Sequence, residues 1–359
     1  NLLKLDMLGH DDPSMIRMLE DLTGVNARAI PLDDPDTMSI FTSSKVLGFE
    51  NDELLGPTGA VAIPEFNTRF TRQMLIDTQP KDFNTLVRLS GFSHGTDVWL
   101  GNARELIVGG TASVLQTVGC RDDIMLYLIS MGLDPKMSFK IMEAVRKGKV
   151  KKGGFQEGWV EAMEEHGVPQ WYIESLAKIG YLFPKAHAVA YVMMAFRIAW
   201  FKVHEPLAFY ATFFTIRAKA FDAEFCCAGK EAVERKIHEI ENNKDATAVE
   251  QNLLVTLEVC YEFYLRGFHF DTIDIYRSDA SKFIITEGGL LPPLISVHGL
   301  GEAAAQDTVE KRKGKTFISV EEFSMCCSKL SKTHIEQLKA LGAFAGMADT
   351  SQVNLFDGL

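Results

Sequence analysis

At 359 residues the chain is long for one compact domain, and about 150 residues per domain predicts two or three. Hydrophobic residues make up 47% and charged residues 24%, which excludes wholesale disorder and a fibrous fold. With 37 basic against 48 acidic residues the formal charge is -11, which excludes a surface that coats nucleic acid or an anionic membrane throughout, while local basic patches remain open.

The start has neither an initiator methionine nor the zones of a signal peptide, so the chain is expected to begin within a longer protein. Leu3, Leu5 and Met7 alternate with Lys4 and Asp6, which predicts a strand that presents Asp6. Asp12 and Pro13 read as an N-cap and a proline at the first helical position. The helix they open turns Met15, Ile16, Leu19 and Leu22 inward, and Gly24 stops it. From there to about Lys219 the pattern is helical, with Gly and Pro punctuation such as Gly132, Asp134 and Pro135. The apolar run from Ala186 to Phe201 falls short of the roughly 20 residues a membrane span needs. Arg197 interrupts it, and Pro184 and Pro206 bracket it, so a buried helix is expected and no membrane. Glu231 to Glu241 reads as a charged, solvated helix, with Glu231 and Arg235 at i,i+4 spacing. Aromatic and β-branched residues between Tyr261 and Ile285 make strands possible. Leu291, Pro292 and Pro293 introduce a smaller unit of two helical hairpins, and after Phe344 the chain turns small and polar, the composition of a mobile tail. The six cysteines include two adjacent pairs and no C-x-x-C step, which argues against structural zinc and a disulfide framework and for a reducing, cytoplasmic compartment.

Several groups could carry chemistry. Gly299, Leu300 and Gly301 fit the turn of a helix-hairpin-helix, whose glycines bare backbone N–H groups for phosphate, with Lys311, Arg312, Lys313 and Lys315 close behind. An ordinary glycine turn with solvated lysines reads the same way. A related hairpin, Lys329 to Lys332, lacks the glycines. Lys147, Lys149, Lys151 and Lys152 concentrate charge in an acidic chain, as a nucleic-acid track does, or form a solvated face. Ser93 with His94, and Lys185 with His187, could each hold a phosphate chain. Asp6 is of the type that binds magnesium, but no second carboxylate lies at strand spacing beside it, so alone it reads as a surface aspartate. Gln352, Leu355 and Phe356 form a short polar-apolar peptide suited to docking on a partner.

Together, several ordered segments resemble the Gram-positive type of DNA polymerase III alpha subunit, the PolC branch of the C-family replicative polymerases. They include the run from Lys4 to Pro13, Ile63-Pro64-Glu65-Phe66, Gly91 to Ala103, Gly119 to Asp123, Phe183 to Tyr191, Lys202-Val203-His204 and Tyr276-Arg277-Ser278. The resemblance implies a C-terminal portion that is mainly α. Residues 1–12 would end the palm, 13–285 would form a large helical fingers domain, 286–346 a helix-hairpin-helix duplex-binding domain and 347–359 a sliding-clamp-binding tail. By that analogy Asp6 is the third catalytic carboxylate. It would share two Mg2+ ions with a Pro-Asp-x-Asp pair that this chain lacks, so the chain alone should not polymerise DNA. Ser93, His94, Arg121, Lys185 and His187 become the site for the incoming deoxynucleoside triphosphate (dNTP), with Arg121 on the β- or γ-phosphate. Gln352, Leu355 and Phe356 become the clamp contact. The implied partners are primer-template DNA, dNTP, the sliding clamp and the upstream half of the polymerase. The competing reading is a non-catalytic adaptor that binds DNA and clamp.

Overall fold

The computed structural model describes residues 10–350, and over these the chain is mainly helical. Two compact units are present. One is Asn26–Val203, and the other consists of the described parts of Asn1–Val25 and His204–Leu359. The strand expected to present Asp6 lies outside the described residues.

In the 26–203 unit, local chemistry sets where helices begin. Thr68, Asp82 and Asp134 each accept the N–H of the residue three further on, opening the helices Arg69–Thr78, Phe83–His94 and Pro135–Arg146. The helix Lys185–His204 is long and apolar enough to cross a membrane by length and composition. It is nevertheless the core helix of its unit, as its proline brackets and Arg197 suggested. Val192, Ala195, Phe196, Ile198 and Phe201 are fully buried, and Phe196 meets both Phe41 and Phe83 at 6.2 Å between ring centroids. Near its end Lys202 has no exposed surface and donates from Nζ to the carbonyl oxygens of Gly59 at 2.8 Å and Val61 at 2.5 Å. A buried ammonium is tolerated only with such acceptors, so it pins the irregular 59–61 strip to the core helix.

In the other unit the helix Asp12–Thr23 packs on Pro206–Ile216 and ends at Gly24, with φ 72°, as expected. Its cap is Asp11 rather than Asp12. Asp12 is buried, with a carboxylate oxygen 3.2 Å from His10 Nδ1, and proline is accepted one position further in. Tyr261 and Phe263, which suggested a strand, lie in the long helix Ala248–Leu265, opened by a reciprocal cap between Thr247 and Glu250. Tertiary burial overrides their β-propensity: Phe214 gathers Phe263, Phe270, Phe221 and Phe283 within 6.0 Å. One small sheet is present among the described residues, in the order β1 (His269–Phe270), β3 (Gly289–Leu291), β2 (Ile284–Thr286), with β1 parallel and β2 antiparallel to β3. The expected mobile tail is corrected at its start. Val320 and Glu321 donate their N–H groups to the carbonyls of Ala348 and Asp349 at 2.9 and 3.1 Å, tying that segment to the hairpin unit.

Candidate nucleotide and duplex sites

Ser93 and His94 end one helix, Arg121 opens another, and Lys185 and His187 open the core helix. Residues 180–184 join all three helix ends. Thr96 N–H donates to Tyr181 O and Gly180 N–H to Thr96 O, both at 2.9 Å, and Arg121 N–H donates to Phe183 O at 3.1 Å. Lys185 N–H reaches Asp122 Oδ2 at 2.7 Å. Asp123 accepts the N–H groups of Gly119 and Cys120 at 2.9 Å and pairs with Arg88 at 2.7 Å, which fixes the helix start that carries Arg121. The backbones touch at Gly91, where a Cβ would lie 2.2 Å from Gly119 O.

Glu65 organises the imidazoles. Its Oε2 lies 2.5 Å from His94 Nε2 and accepts from Ser90 Oγ at 2.9 Å. Burial pushes the Glu65 pKa up, but the His94 and Ser90 hydrogen bonds and the nearby imidazoles outweigh it and hold the carboxyl below its ordinary value. The hydrogen bond to Glu65 in turn raises the His94 pKa against the effect of burial. Glu65 has φ 70°, a left-handed conformation that costs a non-glycine residue about 1–2 kcal/mol. The His187 ring lies 5.5 Å from His94, stacks on Phe183 at 5.1 Å and meets Tyr191 at 4.5 Å. Arg121 is only loosely paired, with Nε 4.0 Å from Asp122, and the core helix has no acid in its first turn. A protonatable His94, a guanidinium and a helix N-terminus thus share one framework, which is suited to a polyanion. Ser93 is close, but its hydroxyl donates to Ser90 O at 3.0 Å. Glu65 is not legible as a site candidate in the sequence, because nothing local links it to a histidine 29 positions away.

The basic run packs on the same 180–184 segment. Leu182 N–H donates to Arg146 O at 3.2 Å, and a Cβ on Gly148 would lie 2.4 Å from Gly180 O. Glu143 binds Lys147 at 2.7 Å and also Arg146, whose hydrogen bonds hold its pKa at about 2. Lys151 reaches Asp97 at 2.6 Å. Among the described residues no carboxylate pairs with the exposed Lys149 or Lys152.

In the hairpin unit Gly299 has φ 74°, Leu300 is buried, and Gly301 caps the helix Glu302–Lys311 with open space beside it. The second hairpin comes up against this turn. Ser331 and His334 cap the helix Lys332–Ala340, and His334 Nε2 lies 3.9 Å from the Cβ position of Gly299. The positive groups beside the glycines are largely engaged. Asp307 holds Lys311 at 3.0 Å and Lys329 at 3.2 Å. Arg312 is half-buried and donates to Ile275 O at 2.7 Å and Ser278 O at 2.5 Å, bracing a loop. Lys332, at the second hairpin tip, is exposed. Asp6, Gln352, Leu355 and Phe356 lie outside the described residues, within which no cluster of three His, Cys, Asp or Glu side chains could hold a metal.

Residues 12–167 match the bacterial DNA polymerase III alpha subunit finger domain, and residues 267–353 match a helix-hairpin-helix motif. The class is therefore that of a bacterial DNA polymerase III alpha subunit finger domain followed along the chain by a helix-hairpin-helix. Over 356 residues, 99% of its length, the chain is 56% identical to DNA polymerase III PolC-type of Caldanaerobacter subterraneus subsp. tengcongensis, 25% of which it covers. It is 51% identical to that of Bacillus cereus over 99% of its length and 49% identical to that of Streptococcus pneumoniae over 100%, covering 24% and 25% of those proteins. The chain is thus homologous along its whole length to PolC-type DNA polymerase III and spans about a quarter of the length of these relatives.

Proposed function

We propose that the chain supplies the nucleotide-holding and DNA-holding part of a DNA-templated nucleotidyl transfer. A primer 3′-hydroxyl oxygen bonds to the α-phosphorus of a dNTP, the bond from that phosphorus to the bridging oxygen breaks, and pyrophosphate leaves. The reading rests on the convergence of His94, Arg121, Lys185 and His187 on residues 180–184 in a chain homologous to such polymerases. Arg121 would bind the β- or γ-phosphate through two parallel N–H donors, and His94, whose protonated form the Glu65 hydrogen bond favours, would add a third donor facing the leaving group. Lys147, Lys149, Lys151 and Lys152 would follow the strand backbone. Gly299, Gly301, Lys311 and Arg312 would grip duplex, though the last two must first exchange their present partners.

Asp6 would be the metal ligand. The described residues contain no ligand set for Mg2+, so no step is assigned through the ion. The same reading makes residues 13–285 the fingers, 286–346 the duplex grip, and Gln352, Leu355 and Phe356 the clamp contact. It places the protein in the cytoplasm and leaves this chain inactive without the rest of the polymerase. The test is Asp6→Asn in a full-length polymerase carrying this sequence: extension is nearly abolished while primer-template binding persists. Unchanged extension overturns the reading.

A further inference from the structure

Between the helices Pro135–Arg146 and Trp159–Glu165 of the 26–203 unit lies a groove of about 360 Å3, lined by Phe139, Lys140, Glu143, Lys147, Lys149, Gln156 and Trp159 among others. Phe139 is 49% exposed, an uncommon position for a phenylalanine on a helix whose Ile141, Met142 and Val145 are buried. Trp159 is buried at the side of the groove. The one acid in the lining, Glu143, is committed to Arg146 and Lys147, and no carboxylate pairs with Lys140 or Lys149 among the described residues. An exposed aromatic ring is therefore surrounded by ammonium groups in a cleft of a volume that ligand sites commonly have.

We infer that this groove holds an unpaired DNA strand, with a base stacked on Phe139 and the flanking phosphates on Lys140, Lys147 and Lys149. Stacking on a side chain requires a base free on one face, which a strand outside the duplex offers and a paired one does not, while lysines around the ring follow the backbone without reading sequence. Gln156, in the same lining, would meet a base edge. The inference rests on the reading that the chain binds DNA, and it adds a single-strand contact distinct from the duplex grip proposed for the hairpins.

The test is fluorescence anisotropy with a labelled oligothymidylate, an abasic strand of the same length and a blunt duplex, each titrated with the chain. Phe139→Ala is expected to weaken oligothymidylate binding roughly tenfold and leave duplex affinity unchanged, Phe139→Trp to restore it, and the abasic strand to bind the wild type roughly tenfold more weakly than oligothymidylate. A urea unfolding curve for Phe139→Ala that matches the wild type reports that the 26–203 unit, which carries the substitution, is folded. Equal oligothymidylate affinity for Phe139→Ala and wild type, equal wild-type affinity for the abasic strand, or displacement of the strand by polyglutamate at matching charge overturns the inference. Duplex binding without strand binding overturns this inference alone. If neither binds, the DNA-binding reading falls with it.

Discussion

The nucleotide candidate site in the 26–203 unit and the hairpin tips around Gly299 both present positive groups to phosphate, but they are built differently. In the first, a strained buried carboxylate, three helix ends and a contact between two glycine backbones hold the imidazoles and Arg121 on one segment. In the second, Asp307 and two loop carbonyls take up Lys311, Lys329 and Arg312, while the glycine turn and Lys332 face outward. A rigid framework suits one small polyanion that must sit in one place. An engaged, exchangeable set of cations suits a duplex gripped anywhere along its length. Substitutions in the first region should therefore act through geometry, and those in the second through charge.

The largest effect is expected from Arg121→Ala in the complete polymerase. Losing one preorganised donor to developing phosphate charge lowers kcat/KM for dNTP by about 100- to 1,000-fold. Primer-template affinity should not move, because Arg121 is proposed to contact the nucleotide and not the DNA. Steady-state extension combined with isothermal titration of nucleotide checks this, and undiminished nucleotide binding would favour the adaptor reading.

Next comes Gly91→Ala. The added Cβ would sit 2.2 Å from the Gly119 carbonyl oxygen, a backbone atom that cannot step aside as a side chain could. We expect about 3 kcal/mol of destabilisation, the upper end of what overpacking costs, with nucleotide affinity falling as well because Gly119 leads directly into Arg121. Urea unfolding of the chain measures the first and nucleotide titration the second. Normal stability would mean that the helix and loop are not in backbone contact.

Much of this was legible in the sequence, though unevenly. The proline brackets and lone Arg197 marked the core helix correctly, and Gly24 marked a helix end, because these are local backbone rules. The strands expected between Tyr261 and Ile285 are present only at His269–Phe270 and from Ile284, while Tyr261 and Phe263 are helical, since β-propensity reports a half-buried surface of any kind and a cluster around Phe214 supplies one to a helix. The basic run and the glycine turn were visible as composition. The partners that engage Lys151, Lys329 and Arg312 were not, because Asp97, Asp307 and the carbonyls of Ile275 and Ser278 reach them only through tertiary folding, whereas Glu143 with Lys147 and Asp307 with Lys311 are pairs at i,i+4 spacing. Glu65 is the plainest case, since its role depends entirely on where the fold puts His94.

Glu65→Gln should have a smaller, pH-dependent effect. His94, with its pKa raised above 6.5, draws stability from Glu65 that is fully present below that pH and is lost as pH rises through the raised value. Glu65, lowered from 4.5, contributes stability that is present above 4.5 and is lost on acidification. The wild-type advantage should therefore peak between these values and shrink in alkali. Its size should be about 1–2 kcal/mol, kept low because the His94 side chain is about a third exposed. Unfolding of both proteins across pH checks it, and a gap that grows with alkali would remove the ion pair from the account.

The smallest effect belongs to the hairpins and carries the other half of the comparison. Lys332 lies at the second tip, beside the Ser331 cap and next to the His334–Gly299 approach, and it is exposed at a helix start where backbone N–H groups already favour phosphate. Lys332→Ala should weaken duplex binding only a few-fold at moderate salt and lower the slope of log affinity against log salt by roughly one, evenly across duplex sequences. Arg312→Ala should do both: it frees two buried carbonyls and loosens the 275–278 loop, so stability falls, and because Arg312 is proposed to exchange those carbonyls for phosphates the salt slope falls by roughly one as well. If instead Lys332→Ala weakens binding without changing the salt slope, the hairpin tip would be acting through geometry as well, and the contrast between the two regions would collapse.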